Sequence, residues 1–190
     1  MPVAETASTF NENLVMHAAI AAAPDRGVKL ALLESRLQDT TQIITDIYSR
    51  YLFETSVFAA RPEQFMQADD LCEKMLSAQR ASYGDGLDPE VMHPYMWVCK
   101  SHYYSGSLSF YNFPYAFGGL FAGGLYALYR QEGKAFVPRY QHMLHETTVC
   151  TVEDTARVMG IDLTQRAFWE QGLAAIAEEI DEFFALTEQA

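Results

Sequence analysis

Apolar side chains recur at three- and four-residue steps along most of the chain, and no apolar–polar alternation of period two persists, so the pattern predicts an all-α protein. Val3, Ala7, Phe10, Leu14 and Ala18 share one face of a first helix expected from Val3 to Ala22. Pro2 suits its first turn, where a missing N–H costs nothing. Pro24-Asp25-Arg26-Gly27 breaks that helix. A long second helix is expected from Val28 to Phe58, with Leu30, Leu33, Leu37, Ile44, Ile47, Tyr48, Tyr51 and Leu52 on its apolar positions and no Gly or Pro inside it. Arg61-Pro62-Glu63 is expected to open a third helix, turning Phe65, Met66, Leu71, Met75 and Leu76 inward and ending before Tyr83-Gly84-Asp85-Gly86. Leu87 to Pro114 shows no period. Further helices are predicted over Tyr115–Gln131, Phe136–Leu144 and Val152–Met159, the last stopping at Gly160. Thr164 is placed as N-cap of a final helix through Leu186, with Phe168, Leu173, Ile176, Ile180 and Phe183 on one face. Glu178, Glu179, Asp181 and Glu182 read as its solvated side.

The 190 residues are one domain's worth of chain, a single helical region or one large and one small lobe. Apolar residues make up 49% and charged residues 20%, which excludes a disordered tail or a coiled-coil rod. With 13 basic against 25 acidic residues the net charge is −12, and a nucleic-acid partner is not expected. No apolar run reaches the roughly 18 residues that span a bilayer; Ala116–Tyr129, with four glycines, reads as a buried helix. No membrane partner is expected. The start, Met1-Pro2-Val3-Ala4-Glu5, has neither the basic region nor the apolar core of a signal peptide. Cys72, Cys99 and Cys150 stand far apart and read as small buried hydrophobes, which points to a reduced, cytoplasmic setting.

Two stretches carry candidate chemistry. Glu5 and Glu12 are seven residues apart, close to two helical turns, so both carboxylates fall near one stripe of the first helix. Ala4, Ala7 and Ser8 around Glu5 are small enough to let a second backbone or a metal centre approach. Two such glutamates are also common on a solvent face. The second stretch, His102 to Gly118, holds seven aromatics and a histidine in 17 residues, interleaved with Ser and Gly. Its hydroxyls and imidazole could serve an oxyanion or a peptide backbone. They could equally form an aromatic cluster with hydroxyls reaching water. His145-Glu146-Thr147-Thr148-Val149 begins like the zinc motif HExxH but has Val149 where the second histidine belongs, so it is rejected as a metal site. His17, His93 and His142 are lone histidines without ligand spacing. No phosphate-binding glycine loop and no nucleophile elbow is present. A carboxylate-bridged helical bundle would need a second Glu-rich helix with a paired histidine. Glu34, Glu54, Glu63 and Glu73 have none at that spacing.

Together the two stretches resemble a known family. Ala4-Glu5-Thr6-Ala7-Ser8-Thr9-Phe10-Asn11-Glu12 resembles the glutamate helix of the oligoendopeptidase F family, thimet-oligopeptidase-like zinc metallopeptidases. Lys100-Ser101-His102-Tyr103-Tyr104 through Phe110-Tyr111-Asn112-Phe113-Pro114-Tyr115-Ala116-Phe117-Gly118 is similar to that family's substrate-binding histidine–tyrosine segment. Gly160-Ile161-Asp162-Leu163 followed by Phe168-Trp169 is similar to its C-terminal end. The resemblance spans essentially the whole chain.

It implies a helical, clamshell-like peptidase acting on short peptides. Glu5 would be the third zinc ligand, and Glu12 a carboxylate orienting a ligating histidine. His102 would bind substrate, with Tyr104, Tyr111 or Tyr115 donating to the oxyanion. Tyr111 and Tyr115 are favoured because they lie at the entry to a helix. The family's HExxH helix has no counterpart in this sequence, so the resemblance makes the chain the C-terminal part of the catalytic domain. By itself it is expected to hold no zinc and to be inactive, its partners being short peptides and the N-terminal part of the same protein. The other reading is a stand-alone helical protein that binds peptides or a partner without hydrolysis.

Overall fold

Most of the periodic segments fold as the pattern predicts, and all regular structure among the described residues is helical. The structure, a computed structural model, describes residues 2–188. In chain order the helices are α1 (Thr6–Ala21), α2 (Arg26–Thr41), α3 (Ile47–Ala60), α4 (Ala68–Tyr83), α5 (Phe113–Glu132), α6 (Phe136–Glu146), α7 (Val152–Val158) and α8 (Arg166–Thr187). A π-helical stretch, Gln42–Asp46, links α2 to α3. None of them is long and apolar enough to cross a membrane. The chain forms two compact units, Met1–Asp39 with Phe117–Ala190, and Thr40–Ala116.

The first unit is built on Phe10 of α1, Phe121, Ala122 and Leu125 of α5, Phe136, Tyr140 and Met143 of α6, and Phe168 of α8. Phe10 stacks on Phe136 at 5.6 Å and lies 4.5 Å from Tyr140, so α1 is fixed by ring contacts worth about 0.5–1.5 kcal/mol each beyond area burial. The glycines of α5 serve close approach. A Cβ on Gly124 would overlap the Phe168 ring, and one on Gly172 would meet the Gly124 nitrogen at 3.0 Å. Gly124→Val should therefore destabilise the chain by about 1–3 kcal/mol through overpacking, read as a lower urea midpoint at unchanged slope. A neutral outcome would show that α8 can retreat freely.

The second unit packs α3 on α4. Phe53, Met75 and Ala78 are buried, with Leu52, Val57, Leu71, Met96, Trp97 and Tyr103 against them.

Several boundaries differ from the pattern for local reasons. Residues 2–5 form a turn closed by Thr6 N–H donating to the Val3 carbonyl, so the first helix begins at Thr6, with Glu5 at its N-cap position. Helix α2 starts two residues early because the Asp25 carboxylate accepts from Val28 N at 2.9 Å. The expected Val28–Phe58 helix is helical throughout, but the π stretch adds a residue to one turn and breaks the single register. From its last residue onward, Asp46, Arg50 and Glu54 turn inward, while Tyr48 and Tyr51 are exposed. Arg61-Pro62-Glu63 does not open a helix. Arg61 and Gln64 amides continue the end of α3, and α4 starts at a capping box in which the Gln67 backbone N–H donates to Asp70. Phe65 is left 80% exposed rather than inward. Thr164 is no N-cap either: its N–H and hydroxyl both donate to Asp162, and α8 begins two residues later. On α8, Leu173 and Ile180 are exposed and Glu179 is buried, the reverse of the predicted faces.

Candidate functional site

The irregular segment after α4 becomes ordered through aromatic contacts and short turns. Met96–Cys99 and Ser101–Tyr103 each make a 3₁₀ turn. Phe110 N–H donates to the His102 carbonyl at 2.8 Å, which closes the loop between them. Phe110 does this at φ 58°, the left-handed region that an aromatic residue rarely adopts. Its ring is held 4.7 Å from Phe58 and 5.8 Å from Tyr103, and these contacts oppose the backbone strain. Tyr115 N–H donates to the Asn112 carbonyl as the chain enters α5.

This geometry brings three of the four predicted residues together. His102 Nε2 is 3.3 Å from the Tyr115 hydroxyl, and the two rings meet edge to face at 5.7 Å. Tyr111 stands edge to face against Tyr115 at 5.3 Å. Tyr104 does not join them: it is exposed and donates to the Trp97 carbonyl at 3.2 Å. Burial, with the charges of Arg50 and Lys100, holds the His102 pKa below the ordinary histidine value, which favours the neutral imidazole. His102 Nδ1, Trp97 Nε1 and the Tyr103 hydroxyl are buried without a hydrogen-bond partner among the described residues. Such orphan groups suit a polar ligand.

Beneath the segment lies a buried network the sequence reading did not find. Arg50 pairs with Asp46 and donates to Asn112 Oδ1 at 3.1 Å, while Asn112 Nδ2 donates to Glu54. Asp46 also accepts from Gln42 at 2.9 Å and from the Tyr83 hydroxyl at 3.2 Å. Asn112 has no exposed surface, and Arg50, Glu54 and Asp46 have 4%, 5% and 7%. The available signal was Asp46, Arg50 and Glu54 at four-residue steps, one face of a helix.

Burial raises the Glu54 pKa to about 7, against the opposing effects of Asn112 and Arg50. The folded state therefore holds a proton that the unfolded chain loses near pH 4.5. Stability from this group is present below that pH and is lost as pH rises through about 7. Glu54→Gln keeps an acceptor for Asn112 without the charge. Relative to the parent it should gain roughly 2–3 kcal/mol between pH 4.5 and 8, at 1.36 kcal/mol per unit. Urea unfolding at both pH values checks this, and parallel stability curves would contradict it.

The first unit holds the other predicted residues. Glu5 is half-buried, with the Ser8 hydroxyl donating to its carbonyl at 3.0 Å; a Cβ on Gly118 would come within 3.0 Å of the Glu5 Cβ. The close backbone approach expected at this stripe is thus made by α5. Glu12 is exposed. His17, without ligand spacing in the sequence, packs as a structural histidine: it stacks on Tyr126 at 4.4 Å and lies 3.1 Å from buried Glu179. Burial and the charges of Arg36 and Arg130 pull His17 down to about 4, so the neutral ring donates to Glu179, whose countercharge is Arg36. His145 Nδ1, His142 Nδ1 and the Cys150 thiol all turn to the Glu146 carboxylate. Cys72 is buried as predicted, but Cys99 and Cys150 are exposed, each on a short turn that leaves its thiol outside the core.

Among the described residues no group of three or more His, Cys, Asp or Glu is arranged to hold a metal ion. Glu5 alone does not fit a zinc site, which needs three protein ligands. The chain is thus an all-helical protein with a histidine–tyrosine cluster over a buried charged network. No family model matches it, and comparison with curated proteins and with solved structures likewise gives no match.

Proposed function

We propose that the chain is the C-terminal helical part of a zinc oligopeptidase of the oligoendopeptidase F type, contributing the surface that grips a short peptide's backbone. The observation that carries the reading is the pairing of His102 with the Tyr115 hydroxyl at 3.3 Å, with Tyr111 against it. A tyrosine hydroxyl beside a neutral imidazole can donate to a peptide carbonyl, and it donates more strongly as that oxygen gains negative charge. Tyr104 is left to substrate contacts away from this pair. In the complete enzyme that the resemblance implies, zinc would supply Lewis-acid activation. Under the resemblance, Glu5 would be the carboxylate this chain offers it, with Glu12 in support. The remaining ligands fall, under the resemblance, in a segment preceding Met1. The free thiols Cys72, Cys99 and Cys150 support a reducing, cytoplasmic setting, and the charge of −12 argues against nucleic acid as a partner.

The test is binding of a fluorescently labelled short peptide to the chain, read by anisotropy. His102→Ala and Tyr115→Phe should each weaken binding about tenfold, the value of one hydrogen bond to a polar group. His142→Ala, exposed at the end of α6, should leave it unchanged. Equal affinity in all four proteins would overturn the assignment.

A further inference from the structure

We propose that Arg50 and Glu54 are positioning residues for the His102–Tyr115 pair, acting through Asn112, whose side chain they grip at both ends. The inference rests on the reading of that pair as the binding site. The Asn112 amide has one acceptor and one donor face. Arg50 Nη1 donates to its oxygen at 3.1 Å, and its nitrogen donates to Glu54, so neither rotation nor flipping of the amide preserves both bonds. Asn112 is fully buried, and its own backbone is the hinge between the loop and α5: its N–H donates to the Phe110 carbonyl, and its carbonyl accepts from Tyr115. Fixing this one side chain fixes the register in which Tyr111 and Tyr115 follow it and His102 precedes it across the closed loop.

The cost of the arrangement supports a role beyond packing. A buried charged cluster is commonly no more stabilising than apolar side chains of the same volume. This one is nevertheless tied together by five bonds, two of them on the Asn112 side chain. Asp46 takes bonds from Arg50, Gln42 and Tyr83, which orients the guanidinium toward Asn112 from behind. The groups bearing on His102 are the charges of Arg50 and Lys100 and the hydroxyl of Tyr115. Arg50 therefore reaches the imidazole twice, mechanically through Asn112 and electrostatically across the site.

The test uses the full chain, with NMR of the His102 ring. Asn112→Ala changes no charge and removes the grip. It should abolish the contact between the His102 and Tyr115 rings seen as a nuclear Overhauser effect, while the rest of the spectrum stays folded. Arg50→Lys keeps the charge but replaces the guanidinium fork, whose two arms separately reach Asp46 and Asn112, with a shorter single ammonium, so the ring contact should weaken while the His102 titration midpoint stays low. Glu54→Gln, which retains the acceptor, should keep both. An unchanged ring contact in Asn112→Ala overturns the proposal. Should that variant fail to fold, an unchanged contact in Arg50→Lys does so. Peptide titration of the parent separates the two readings. Loss of the ring contact in the variants, with no peptide bound by the parent, leaves the positioning role intact and removes the binding assignment.

Discussion

Arg50→Met should cost the chain about 3–5 kcal/mol. The guanidinium is 4% exposed and faces Asp46, itself 7% exposed. Removing it leaves a carboxylate in a low-dielectric interior with only Gln42 and Tyr83 as donors, and takes a partner from Asn112. The penalty belongs to the stranded charge rather than to the pair. Asp46→Asn introduced together with Arg50→Met should therefore recover a good part of the loss, and the two changes should be strongly non-additive. Urea unfolding of the four proteins of this cycle measures both quantities. A loss under about 1 kcal/mol, or simple additivity, would mean that water reaches the guanidinium.

If the proposed peptidase reading holds, Tyr115→Phe should lower kcat by about 10²–10³ and raise KM by no more than about tenfold when this chain is joined to an upstream HExxH segment. The ring and its edge-to-face contacts with His102 and Tyr111 survive the change, so what is lost is one hydroxyl. A donor that strengthens as charge develops on the carbonyl oxygen affects the rate step more than ground-state binding. A large KM effect with unchanged kcat would place Tyr115 in ground-state binding alone.

The helices were legible because apolar spacing is a local property, and Phe10, Leu33, Met75 and Phe121 are buried as their spacing demands. The π stretch was not legible, since no composition marks Gln42–Asp46 as different from the helix on either side. That one extra residue explains why Tyr48 and Tyr51 were expected inside and why the charged face carrying Arg50 and Glu54 was not. Thr164 and Arg61-Pro62-Glu63 failed for a related reason: a cap depends on which neighbour takes the hydroxyl or amide first, and Asp162 takes that of Thr164. Among the candidate site residues, His102, Tyr111 and Tyr115 of the aromatic-dense stretch lie together. Density could not separate Tyr104, whose hydroxyl turns to Trp97. Asn112 passed unnoticed because an asparagine between aromatics is unremarkable until Arg50 and Glu54, some 60 residues earlier, are seen to grip it.

The central claim meets its most direct test in hydrolysis of a quenched short peptide by this chain joined in frame to its upstream sequence. The account predicts activity that a chelator abolishes and added zinc restores, and a loss in Glu5→Gln well beyond the 10–100-fold typical of residues that only support a ligand. Activity indifferent to both chelator and Glu5→Gln would contradict it, as would an upstream sequence carrying no HExxH.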